Sequence, residues 1–290
     1  MKIECLPTPR LIDYVECFCL EQVRGIKRSV PQGVFDILIN THALIYGADK
    51  QLLLPSMWLV GQHTRQYQLI AEQPCWVFTI RLKPFALLPF PQFSAVEIKN
   101  SIHSITSNFG GSGLANQIVD ILSENKAQTA NMLLAVCAEL AQTWLIENLL
   151  IKANFVVPAL FRAESNYILR NMGNIQVHAL CDNFSLSKVT IRKHFLAHCG
   201  LLSKELSQIW RLNHFLMLEH SGKLPSMTHS AIAAGFYDQA HLIREFKGVF
   251  GNTPKAFFSD ANFDVATITQ IAKRFGGSYS PPTSPAIQTD

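Results

Sequence analysis

The sequence predicts an α+β protein: an N-terminal β-rich small barrel or sandwich followed by helices, then an all-α domain with two helix-turn-helix units joined by a linker helix. Three observations carry this reading. Short strand-forming runs punctuated by glycine and proline fill residues 1 to about 110. The hydrophobic period becomes helical after Gly113. A helix–turn–helix pattern then occurs twice, at an offset of 50 to 51 residues.

The front strands are marked by their punctuation. Pro31 and Gly33 open the run Val34 to Ile39, and Asn40 closes it. Leu44-Ile45-Tyr46 stops at Gly47, Met57 to Val60 at Gly61, and Trp76 to Leu82 at Pro84. Helical spacing follows in Leu114, Ile118, Ile121 and Leu122, and again in Leu133, Leu134, Cys137, Leu140, Ala141, Trp144 and Leu145. A third helix is expected from Phe155 to Met172, ended by Gly173-Asn174. The tail after Phe275 is rich in Gly, Ser and Pro and is expected to be disordered.

The 290 residues suit two domains. With 48% hydrophobic and 16% charged residues, the chain has enough apolar material for full cores. A net charge of +4 permits nucleic-acid binding without arguing for it. The most apolar stretch, Trp76 to Phe93, is broken by Arg81, Lys83, Pro84, Pro89 and Pro91, so no run reaches the roughly 20 apolar residues of a membrane span. Met1 to Tyr14 has no signal-peptide core, and a cytoplasmic location is expected. The seven cysteines form no CxxC pair. Cys17 and Cys19 would share one strand face, a poor geometry for a mutual disulfide, and all seven are expected to be free buried thiols.

The repeat is the most informative feature. Its first copy runs from Leu180 to Phe195 and then Gly200; its second runs from Ser230 to Phe246 and then Gly251. Small Cys181 and Ala231 lie where two crossing helices would approach, and Gly235 supplies a positive φ for the turn. Ser187 and Asp238 are expected N-caps. Ile191 with Phe195, and Leu242 with Phe246, face inward at i,i+4. The opposite faces offer Lys188, Arg192 and Lys193 in one copy and Gln239, His241 and Arg244 in the other. Arg and Gln are the side chains that pair with guanine and adenine edges in the major groove. From the pattern alone, two helix pairs with a solvated charged face remain the alternative. Between the copies, Ser203 to Glu219 reads as a helix with Leu206, Ile209, Leu212 and Leu216 inward, a rigid spacer stopped by Gly222. Thr253-Pro254 opens a last helix.

Here the chain resembles the AraC/XylS family of bacterial transcriptional regulators. The specific part is Gly235-Phe236-Tyr237-Asp238-Gln239-Ala240-His241-Leu242-Ile243-Arg244-Glu245-Phe246-Lys247, then Gly251-Asn252-Thr253-Pro254. The first copy departs from the family at Lys193 and Ser203, where Arg and Pro are usual, and near Ser185, where Gly is common. The resemblance covers about residues 174 to 260. It implies sequence-specific binding to double-stranded DNA through Ser187, Lys188, Val189, Arg192 and Lys193 in the first unit and Gln239, Ala240, His241, Arg244 and Lys247 in the second. It also implies RNA polymerase as a partner, an activator role, and control by a front domain that binds a small-molecule effector or dimerises. The runs Pro31 to Asp36 and Val60 to Arg65 carry a weaker likeness to such a front domain.

The expected organisation is a regulatory domain at 1–150, a connecting helix at 151–173, the double helix-turn-helix at 174–260, and a short helix with the tail at 261–290. Gly110 to Gly113 is expected to be a flexible break. An enzyme or an alkyl-acceptor domain with Cys75 as nucleophile is the rival reading of the front half. No GxSxG, GxGxxG, Walker loop or HExxH occurs there, so no catalytic residue, cofactor or metal ligand is assigned. A purely structural front domain is the other alternative. The helix Met132 to Leu149 is apolar on more than one face, and from this a homodimer is expected. Seven of the ten histidines lie between His178 and His241; a pH switch and ordinary surface histidines are both open.

Overall fold

The computed structural model describes residues 2–47, 50–87, 93–107, 111–124, 128–152, 156–260 and 265–275. The front half is one eight-stranded antiparallel sheet: β1 (Lys2–Cys5), β2 (Val15–Ser29), β3 (Phe35–Asn40), β4 (Leu44–Tyr46), β5 (Gln51–Leu53), β6 (Met57–Val60), β7 (Tyr67–Leu82) and β8 (Ile102–Ser104). The order is β1-β2-β7-β3-β6-β8, with β4 bridging β7 and β5. The long strands β2 and β7 pair along their whole length, and a register shift between Val23 and Gly25 divides the ladder. One half of that ladder continues into β3; the other carries β4.

All six residues of β3 are buried, because both faces of the sheet are covered. On one face Ile37, Ile39, Leu59, Phe78 and Ile80 meet helices α1 (Gly111–Glu124) and α2 (Ala130–Leu145). On the other, Leu38, Val60 and Val77 pack with Leu44, Leu53 and Leu69 in a smaller core. His63 is buried at the edge of the smaller core. Its Nδ1 donates to the Gly61 carbonyl at 2.7 Å, and Nε2 accepts from the Tyr46 hydroxyl.

Two expectations change here. The expected flexible break at Gly110 to Gly113 is instead, over Gly111 to Gly113, the first turn of α1; Gly110 lies outside the described residues. Gly111 is buried because it sits against the Ile105 carbonyl and the Met57 sulfur, so tertiary packing overrides its low helix propensity. The apolar excess of α2 is mostly absorbed within the chain: Leu133, Leu134, Cys137, Ala138, Ala141, Trp144 and Leu145 are all buried, while Met132 and Val136 stay exposed. The tail after Phe275 lies outside the described residues.

The back half is helical: α3 (Ala159–Arg170), α4 (Val177–Phe184), α5 (Lys188–Cys199), α6 (Ser203–Ser221), α7 (Met227–Ala233), α8 (Gln239–Phe250), α9 (Pro254–Phe258) and α10 (Val265–Arg274). A π-helical turn, Ile146–Lys152, extends α2. The main core does not stop at the expected domain boundary. It runs from the sheet through Phe161, Leu180 and Ile191 to Leu206, Ile209 and Trp210 on α6. A separate core, centred on Leu212, Phe215 and Leu216, holds the second repeat and includes Ile268 and Ile271 of α10.

Helix α10 is therefore shared. Its apolar side completes the second repeat's core, and its polar side meets the sheet. There Arg81 donates twice to Asp36, at 2.9 and 2.8 Å, and once each to Gln32 and Gln270. Arg274 grips Glu16 with two bonds and the Gln32 carbonyl with a third.

A fragment of residues 156–260 should consequently be less stable than one of residues 156–275, by about 3 kcal/mol for two buried isoleucines. Urea unfolding followed by circular dichroism checks this; equal midpoints would remove α10 from the core. A second expectation concerns acid. Burial pushes His63 down to about 4 despite its bond to Gly61, so the unfolded chain takes up a proton that the folded chain refuses. Its contribution is neutral above about pH 6.5 and costs stability as pH falls towards 4, by up to about 3 kcal/mol. Urea midpoints at pH 7.5 and pH 5 should diverge less in His63→Gln than in the wild type; identical pH slopes would contradict this.

Candidate nucleic-acid interface

Each repeat presents its second helix through a cap and a turn. The Ser187 hydroxyl accepts from the Thr190 amide at 3.1 Å, and the Asp238 carboxylate from the His241 amide at 2.6 Å, so both expected N-caps form. Thr253 caps α9 in the same way. Gly235, at φ +88°, makes the turn between α7 and α8; a Cβ there would strike the Asn174 side chain at 2.3 Å. The first unit has Ser185 in the same left-handed region, at φ +53°, where glycine is the unstrained choice.

The recognition helices are held from behind. His194 of α5 bonds Glu164 of α3 at 2.8 Å, and Phe195 meets Phe161 edge-on. In the second unit Phe246 packs edge-on against Phe215 of α6. Arg211 of α6 stacks over Phe236 and donates to Glu245 at 2.8 Å, while Glu245 also bonds His241 at 3.0 Å. Helix α6 thus braces α8 by both packing and charge. Its own start is closed by Glu205, which accepts from the Leu202 amide at 2.8 Å and from Lys99 of the front half at 2.7 Å. The helix is 19 residues long, roughly 28 Å.

Nine of the ten residues assigned from the sequence are exposed: Ser187, Lys188, Val189, Arg192, Lys193, Gln239, Ala240, Arg244 and Lys247. Val189 stands 62% exposed. His241 differs. It is half-buried and tied to Glu245, and its ring holds the start of α8. Tyr237, 88% exposed beside the Asp238 cap, was not assigned from the sequence; an aromatic placed directly before an N-cap was the available signal.

Residues 180–260 match the family model described as a helix-turn-helix domain. This unit is an AraC-type helix-turn-helix domain. The chain is accordingly a DNA-binding transcriptional regulator. Residues 3–104 match a second model, described as a domain of unknown function, DUF6597. No curated protein sequence matches the chain. Among solved structures, the chain is similar to ToxT from Vibrio cholerae, at 12% identity over 83% of this chain and 96% of that one, with a TM-score of 0.45. ToxT from Vibrio cholerae O395 bound to (E)-4-(8-methylnaphthalen-1-yl)but-3-enoic acid aligns at 11% identity over 87% and 97%, with a TM-score of 0.46. The AraC-like transcriptional activator CuxR aligns at 13% identity over 67% and 74%, with a TM-score of 0.28. Likenesses this distant add nothing to the assignment. No helix among the described residues is long and apolar enough to cross a membrane.

The strained turn of the AraC-type domain yields a direct expectation. Ser185→Gly should stabilise the protein by about 1 kcal/mol, the cost of a left-handed non-glycine residue. Differential urea unfolding measures it; a loss of stability would show that the serine side chain contributes something the backbone angle does not reveal.

Proposed function

We propose that the chain reads two adjacent major-groove segments, with α5 in one and α8 in the next, under control of the front half. The carrying observation is the pair of capped recognition helices braced on one helix, α6, with Arg192 and Arg244 exposed on the outward sides. The length of α6 suits two readers spaced by about one DNA turn, ~34 Å. Arg192, Arg244 and Gln239 are assigned to base edges, and Val189 and Ala240 to thymine methyl groups. Lys188, Lys193 and Lys247 are assigned to phosphates, with the Ser187 hydroxyl at the same boundary. Tyr237 is added as a backbone contact, since no described residue covers its ring.

Control by the front half is supported by the seam between the two halves. The polar cavity beneath α10, lined by Arg81, Asp36, Tyr67, His63 and Thr267, holds only about 50 Å³ and is too small for a drug-sized effector. A larger cleft of about 440 Å³ lies between Lys83, Phe85, Arg162, Asn166, Trp210 and Arg274. An effector seated there would touch β2 through Glu16, the segment after β7, α3, α6 and α10 together, which supports effector control at this junction. Homodimerisation is kept as a reading for the exposed Met132–Val136 stripe of α2 alone. RNA polymerase contact and an activator role remain inferences from the AraC resemblance.

Arg244→Ala should cost about 1–3 kcal/mol and relax preference at one or two base pairs. Lys247→Ala should instead weaken all sequences alike and flatten the salt dependence of binding. Gel-shift titrations across single-base variants of a bound site separate the two effects. Full sequence preference in Arg244→Ala would overturn its assignment to a base edge.

A further inference from the structure

The sheet edge beneath α10 gathers groups that DNA reading does not use. Antiparallel pairing of β1 with β2 sets Glu4 directly opposite Cys19. Cys17 lies two residues along β2 from Cys19, on the same face, and pairs with Arg81 of β7. The Cys17 and Cys19 sulfurs are 3.5 Å apart, and a Glu4 oxygen lies within 4.8 Å of both. Both thiols are almost fully buried. The β-ladder therefore holds two sulfurs and one carboxylate oxygen in a fixed cluster, without needing any loop to fold around them.

We propose that Glu4, Cys17 and Cys19 bind a thiophilic divalent cation, zinc best fitting the geometry, and that loading displaces Gln270 and loosens α10. Two sulfurs around a tetrahedral zinc at about 2.3 Å stand roughly 3.8 Å apart, close to the separation already present. The charges also fit. Two thiolates, one carboxylate and a divalent cation sum to one negative charge, and Lys2, Lys273 and Arg81 surround the cluster. Binding breaks two S–H bonds and forms two metal–sulfur bonds; both protons leave to solvent, and no oxidant is required. Water takes the fourth position.

The link to α10 is the Gln270 amide, which is almost fully buried. Its Nε2 donates to Glu4 at 2.9 Å and to Cys19 at 3.1 Å, while its Oε1 accepts from Lys2 at 2.7 Å and from Arg81 at 2.9 Å. The Gln270 Nε2 already bridges Glu4 and Cys19, the pair a metal would bridge, so metal and amide compete for one position. Flipping the amide does not rescue its N–H groups, because they would then face two cations. Unpaired buried donors are costly, so the helix end carrying Gln270 gives way. Lys273, on the next turn, would then share Glu4 with the metal.

The test uses the full-length protein with cadmium chloride as spectroscopic probe and zinc chloride as ligand. One cadmium per chain should bind with a thiolate-to-metal charge-transfer band, lost in Cys17→Ser and in Cys19→Ser. Zinc-edge X-ray absorption on the wild type, which needs no variant to fold, should show two sulfur ligands at about 2.3 Å with oxygen completing the shell. Hydrogen exchange of residues 265–274 should speed up on zinc loading and stay unchanged in Glu4→Gln at the same zinc concentration. Absence of the band, a band that survives loss of both thiols, or a zinc shell with fewer than two sulfurs overturns the site. Unchanged exchange in loaded wild type overturns the link to α10.

Discussion

Helix α6 does two jobs that physically conflict unless the two halves of the protein move together. Its first part is buried against the front half. Trp210 has no exposed surface, and its indole N–H donates to the Gln32 carbonyl at 3.0 Å. The contact requires Gly33: at φ +66°, a Cβ there would lie 2.6 Å from Leu206 and 2.9 Å from the Trp210 indole nitrogen. The second part of α6 supplies Leu212, Phe215 and Leu216 to the other repeat. One rigid rod thus links the sheet, both repeats and, through Arg211 and Glu245, the recognition helix α8. A ligand with different affinity for two poses of this rod would shift DNA binding, and DNA would shift ligand binding by the same factor.

The second link, through α10, is chemically different. It is polar on the sheet side and centres on Arg81, a buried guanidinium whose desolvation is offset by four bonds to Asp36, Gln32 and Gln270. Such a cluster adds little net stability compared with apolar packing, but losing one member leaves the others unpaired at high cost. A contact of that kind is either made in full or released. The apolar seam at Trp210 suits a permanent joint, whereas the polar seam at Gln270 suits a switch.

Much of this was legible in the sequence, for reasons that can be named. The strands at Phe35–Asn40, Leu44–Tyr46 and Met57–Val60 were marked by glycine and proline stops, and the caps Ser187, Asp238 and Thr253 by their residue types. The long ladder of β2 with β7 was only half visible, because Arg24-Gly25-Ile26-Lys27-Arg28 breaks the apolar alternation past the register shift. Gly111 read as a break because its burial against Met57 is a tertiary fact. The apolar excess of α2 suggested a second subunit; the sheet and α1 take up most of it, and Met132 and Val136 stay exposed. Lys188, Arg192, Lys193, Gln239 and Arg244 were recovered from helical spacing, and Val189 and Ala240 only from the family resemblance; His241 is turned inward by Glu245, four residues on, and Tyr237 was missed. Cys17 and Cys19 were read correctly as sharing a strand face. The carboxylate opposite them and the helix above them come from β1 and α10, which spacing along the chain cannot bring together.

The central claim is that α5 and α8, set by α6, read two major-groove segments at once. Selection of bound sequences from a random duplex library by the purified full-length protein tests it most directly. The account predicts two separate blocks of preferred bases, their centres about 10 base pairs apart, one helical turn. A single short block, or two blocks whose spacing varies freely, would contradict a rigid pair of readers.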